Sequence, residues 1–202
     1  IQGGEFMNLS EMITLVRRDL KDEASPYQWS DEELTRHINH AVKELSERVP
    51  LPAKATLPTA NGSREVDISS LTDRIMVEAV EYPVDESPAE YQRFSIWGNA
   101  LTIISGDEPN GSNCHVYYGK LHTLDANGST IPSKYEDLVV TGACGYAAIS
   151  QAALSINKVN IGGTMTPTEY RTWGNEQLRM FKDGLKRLGR THRVRTQQLF
   201  TD

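Results

Sequence analysis

Cysteine is nearly missing from this chain: Cys114 and Cys144 are the only two in 202 residues. They fall in unlike segments, which excludes the disulfide framework that staples small secreted domains and leaves two separate thiols as the expectation. Long apolar runs are missing too. Nothing approaches the roughly 18 consecutive apolar residues of a membrane span, and the opening IQGGEF has neither a basic region nor an apolar stretch. Residues 1–6 read as a vector-derived remnant, with Met7 as the natural start. The motifs of common chemistry are equally lacking: no phosphate-binding G-x-x-x-x-G-K, no G-x-G-x-x-G, no G-x-S-x-G and no H-E-x-x-H. Internal repeats and low-complexity tracts do not occur either.

What is present is an order of parts. Asn8 with Glu11, then Ser30 with Glu33, are capping-box patterns that open helices. Leu9, Met12, Ile13, Val16 and Leu20 keep helical spacing behind the first. Leu34, Ile38, Ala41, Val42 and Leu45 keep it behind the second. Ser25-Pro26 ends the first helix, and Pro50 and Pro52 end the second. Trp29 is expected to pack on the first turn of the second helix. From residue 55 the punctuation changes to Asn61-Gly62, Gly98-Asn99, Gly106, Asn110-Gly111 and Asn127-Gly128. Five β-rich runs lie between these turns: 64–68, 75–82, 93–97, 100–105 and 114–118. Phe94 and Ile96 alternate with polar neighbours before Gly98-Asn99, and Leu101 and Ile103 do so after it, the mark of a two-residue hairpin. Residues 85–92 read as a loop, and a small antiparallel sheet or sandwich of four to six strands is expected.

Helical signals return at Ile131-Pro132, where Ser133 and Glu136 form a third capping-box pattern. The helix expected over 134–156 is rich in small residues. Gly142, Gly145, Ala148 and Ala152 allow a neighbouring backbone to approach closely, so this helix is read as central in a bundle or as a contact between subunits. Gly162-Gly163 marks a loop. Thr166-Pro167-Thr168-Glu169 opens the last helix, lined by Tyr170, Trp173, Phe181, Leu185 and Leu188, with Gly189 as its cap. The fold class is therefore α+β. Two N-terminal and two C-terminal helices (residues 7–54 and 131–189) enclose an inserted antiparallel β domain (55–130), followed by a flexible tail (190–202).

Charge is uneven. The chain carries a formal −6, yet Lys182, Lys186, Arg187, Arg190, Arg193 and Arg195 crowd its end against Asp183. An acidic body with a basic end disfavours general nucleic-acid binding and suits a local contact with an acidic surface. No cofactor or metal is implied. His37 and His40 have a ligand-like spacing on a helix, but nothing nearby completes a set. The turn acids Asp85/Glu86 and Asp107/Glu108 read as solvated rather than catalytic. Trp97 and Tyr117-Tyr118 resemble a base-stacking platform but lack the basic groove such platforms need, which points to a core or interface role.

Several phrases in fixed order resemble those of the head-to-tail adaptor (connector, gatekeeper-type) proteins of tailed bacteriophages: LSEMITLVRRDLKDE, WSDEELTRHINHAVKELSERVP, RFSIWGNALTIISG, HVYYGKLHTL and IPSKYEDLVVTGACGYAAISQAA. The resemblance spans nearly the whole chain from Met7. It implies a structural virion protein, not an enzyme, made in the bacterial host cytoplasm and placed at the head–tail interface. Its subunits form a ring, usually of twelve, between the portal protein and a tail or nozzle protein. The helices would make the ring body and the strand block would face the next tail component. The C-terminal segment would grip the portal, here through Arg190, Arg193, Arg195, Leu199 and Phe200. Another phage assembly or scaffold protein of similar layout, or a small enzyme with an unrecognised site, are the alternatives.

Overall fold

The computed structural model describes residues 7–155 and 166–197. Its helices are α1 (Leu9–Leu20), α2 (Asp31–Arg48), α3 (Glu136–Ser155) and α4 (Pro167–Gln197). The strands are β1 (Leu51–Pro58), β2 (Glu65–Asp67), β3 (Arg74–Glu81), β4 (Tyr91–Gln92), β5 (Phe94–Trp97), β6 (Ala100–Ile103), β7 (Asn113–Lys120), β8 (Leu124–Asp125) and β9 (Gly128–Ser129). The chain divides into a helical unit, formed by the residues up to Val49 and from His122 on, and a strand unit, Pro50–Leu121.

Both N-terminal capping boxes form. Asn8 and Ser30 each accept the N–H of the residue three on, and Glu11 and Glu33 accept the reciprocal N–H. The third does not: Ser133 lies in a 3-10 turn, Ser133–Tyr135, whose cap is Pro132 with no side-chain bond. Proline fixes the entry angle at that point, so α3 starts at Glu136, two residues later than the spacing predicts. The fourth signal holds. Thr166 Oγ1 accepts the Glu169 N–H at 3.2 Å and Glu169 accepts the Thr166 N–H at 2.6 Å, with Pro167 as the first helical residue. Gly162-Gly163 and residues 1–6 lie outside the described residues.

The helical unit closes around one core of Met12, Val16, Trp29, Leu34, Ile38, Leu45, Ile131, Val139, Ala143, Ala147, Phe181 and Leu185. α3 is its axis. Gly142 faces the Phe181 ring, and Gly145 and Gly174 sit back to back, where an added Cβ on Gly145 would meet Leu178 Cγ at 2.8 Å and Gly174 O at 3.1 Å. The close approach that the small residues allow is thus made inside the chain, by α4. Ala148 is fully buried and Ala152 nearly so, and both stand on the helix that α4 covers.

The strand unit holds more strands than the punctuation predicts, in two antiparallel sheets of order β1-β7-β3-β4 and β2-β6-β5. Leu57, Val66, Ile68, Val80, Leu101, Ile103, Cys114 and Val116 fill its core. The expected boundaries move. Pro52 reads as a helix stop, but it is a residue of β1, a strand at the sheet edge where a missing N–H is tolerated. The β8–β9 hairpin, expected within the β domain, belongs to the helical unit, because Leu124 packs on the helical core.

His122 stands where the chain re-enters the helical unit. Its Nε2 faces Val49 O at 3.0 Å and its Nδ1 faces Thr130 O at 2.9 Å, while its N–H donates to Ser46 Oγ. Burial lowers the pKa of His122 against the opposing pull of those two carbonyls, and burial followed by the Arg36 charge lowers that of His37. The unfolded chain therefore binds protons more readily at both sites. Their contribution to stability is complete above the unfolded value of about 6.5 and is lost as pH falls below it. The melting temperature should drop between pH 7.5 and 5.5, before carboxylates titrate. His37→Gln should flatten that drop, which melts at closely spaced pH values will check.

Candidate partner-binding surface

The expected docking residues stand on or beyond α4. The helix does not stop at Gly189 but continues to Gln197. Gly189 has no positive φ and so serves as a helical residue rather than a left-handed cap. Arg193 and Arg195, expected in the tail from residue 190, are thus on helical backbone. Leu199 and Phe200 lie outside the described residues. Arg190 is exposed and lines a groove between α3 and α4 with Lys134, Asp137, Met180, Lys186 and Arg187. Further up the helix, Arg179 pairs with Glu176 at 2.5 Å and with Asp183 at 3.7 Å, and Lys186 meets Asp183 at 3.4 Å. The Arg179 hydrogen bond holds the Glu176 carboxyl below its usual range. These exposed pairs contribute little to stability. The basic side chains Lys182, Lys186, Arg187 and Arg190 follow along the second half of α4.

The remaining candidates separate cleanly. His37 is buried, whereas His40 is half-exposed, stacked on the Tyr146 ring at 4.1 Å with Nε2 3.3 Å from Glu44. Tyr146 donates to the same Glu44, and burial together with that bond raises the phenol pKa. Among the described residues no cluster of three or more His, Cys, Asp or Glu is arranged to hold a metal ion. Of the aromatics, Trp97 is 90% exposed at the β5–β6 turn. Tyr117 instead donates to Glu81 at 2.5 Å, and Tyr91 meets it edge-on. The Glu81 bond pushes the Tyr117 phenol up to about 12 and holds the Glu81 carboxyl low. Glu81 also accepts the Asp85 N–H, and His115 Nε2 lies 3.8 Å from Asp85. This polar cluster ties the loop after β3 to the sheet. Sequence reasoning missed it because Glu81 and His115 are neighbours only through strand pairing.

Arg17 is the other residue the sequence hides. It reads as a polar position on an amphipathic helix, yet it is buried. It donates to Asp22 at 2.6 Å, to Trp29 O at 2.9 Å and to Asp31 at 2.7 Å, and its guanidinium lies 3.9 Å from the Tyr27 ring centroid. Asp22 accepts in turn the N–H groups of Gln28 and Trp29. The α1–α2 connection is therefore wrapped around one guanidinium. The Trp29 indole packs edge-on to Tyr170 of α4, and its Nε1–H is buried without an acceptor among the described residues.

Among the described residues, four helices make the helical unit, and the strand unit is inserted between α2 and α3. The SU10 adaptor protein family matches residues 7–198, and the chain belongs to that family, the phage structural adaptors. No curated protein matches it.

Proposed function

We propose that this protein is the head-to-tail adaptor subunit of a tailed phage. In this reading it forms a ring, dodecameric in the virion, between the portal and the tail or nozzle protein, and acts without catalysis. The observation that carries the reading is the family match, which runs over nearly the whole chain. The charged helix α4 supports it. Its last described side chain in the core is Leu188, while the helical backbone runs on to Gln197. Arg190, Arg193 and Arg195 then guide docking onto an acidic portal surface, setting specificity and on-rate more than affinity. Leu199 and Phe200 act as anchors of roughly 1.5–3 kcal/mol each if fully buried.

Co-sedimentation with the cognate portal tests the reading at low and moderate salt. Binding with ring formation is expected, and failure at both salt levels would overturn it. Deleting Arg190–Asp202 removes no described member of the helical core. That truncation should leave the thermal melt nearly unchanged while abolishing portal binding. A truncated protein that unfolds would mean the segment packs on its own body. One that binds with unchanged affinity would place the grip elsewhere.

A further inference from the structure

Four strands stand at the ends of the two sheets of the strand unit: β1, β4, β2 and β5. Open edges invite pairing with another chain unless they are blunted. β1 carries Pro52 and Pro58, and β4 is two residues long. β5 has no such protection. Its sequence is Phe94-Ser95-Ile96-Trp97, with Ile96 39% and Trp97 90% exposed.

The register states what this edge offers. Trp97 and Ser95 pair with Ala100 and Thr102 across a two-residue turn, and Ile104 donates to Arg93 O. The odd residues of β5 thus bond inward to β6, and the N–H and C=O of Ile96 turn outward. At the other end of the same sheet, Ile103 donates to Arg64 O and Ile68 donates to Asn99 O. The even residues there bond inward, so Glu65 C=O and Asp67 N–H turn outward. β2 and β5 are each antiparallel to β6 and hence parallel to each other.

We propose that β5 takes the β2 edge of a second copy of this chain, so that the three-stranded sheet continues from subunit to subunit. The proposal rests on the ring reading above, since only a head-to-tail contact joins two different edges and repeats. Three features of the pair agree. In a parallel register with Ile96 opposite the second copy's Val66, Ile96 N–H reaches Glu65 C=O and Asp67 N–H reaches Ile96 C=O. The row Val66–Leu101–Ile96, already aligned within one sheet, runs on into the next copy and covers the open flank of Ile96. On the opposite face, exposed Arg93 comes diagonal to the exposed Glu65 of the second copy, an attractive pair across strands.

The test is a disulfide between Glu65→Cys and Ser95→Cys in the full-length protein, oxidised with and without the cognate portal. Within one chain the two positions flank Thr102 of β6, about 9.6 Å apart at the usual strand spacing and too far to bridge. Cys114 and Cys144 are buried, with thiols pushed up by desolvation, and will not compete. The double variant should give a ladder of covalent oligomers on non-reducing gels, and each single variant none. Ile96→Pro removes only an outward N–H, which an edge tolerates, and should abolish the ladder with the circular dichroism spectrum kept. Independently, Arg93→Glu should weaken self-association, and Arg93→Glu with Glu65→Lys should restore it. Rings without a ladder, or a ring unaffected by Ile96→Pro, would sink the edge pairing and leave the adaptor reading standing. Dimers from Ser95→Cys alone would mean that β5 pairs with β5, and the proposal is wrong. A wild-type chain that never self-associates, even on the portal, overturns both.

Discussion

Arg17→Met is expected to lower stability by about 3–5 kcal/mol, the usual cost of stripping one partner from a buried ion pair. Both members are buried, the Arg17 side chain at 9% and the Asp22 side chain at 6% exposure, so water does not replace the lost guanidinium. In a chain of this length that corresponds to a fall of roughly 6–20 °C in melting temperature. Asp31 meets the same guanidinium but is 73% exposed, and removing its charge should cost no more than about 1 kcal/mol. The double variant Arg17→Met/Asp22→Leu should recover part of the loss by removing the orphaned carboxylate. Recovery stays partial, because Asp22 also accepts the Gln28 and Trp29 N–H groups. Urea titrations of these three variants against the wild type decide it. A cost below about 1 kcal/mol for Arg17→Met would mean that the α1–α2 connection is solvated in solution.

The second large effect is expected at the α3–α4 crossing. Gly145→Val should destabilise by about 3 kcal/mol, at the upper end of overpacking costs, although alanine or valine at an exposed helical site would favour the helix over glycine. The reason is what the new side chain meets. Gly174 O, 3.1 Å from the position of an added Cβ, is backbone and cannot rotate away. Gly184 is the internal comparison. An added Cβ there meets Leu138 Cδ1 at 2.6 Å, the far end of a side chain that can change rotamer, so Gly184→Ala should cost roughly 1 kcal/mol or less. Equal effects at the two sites, measured by denaturant midpoints, would show that the helices separate readily and that the close approach is not a fixed feature of the body.

Much of this protein was decided locally and is legible in its sequence. Asn8, Ser30 and Thr166 each find their acid three residues on, because a capping box is closed by the chain's nearest neighbours. The β5–β6 hairpin forms where Gly98 supplies a positive φ, a need the residue type announces. The order of helices and strands, and with it the family, follows from the same local signals. Three other things were settled only by the tertiary structure. Pro52 became part of a strand because β7 lay beside it, and proline blocks helices without forbidding an edge. The small residues of α3 were used up by α4 inside the chain, since a glycine advertises a close approach but not whose backbone makes it. Arg17 became buried because Asp22 and Trp29 O converge on it from the following loop. A charged side chain on a helix reveals its burial only when the groups that compensate it have been brought together.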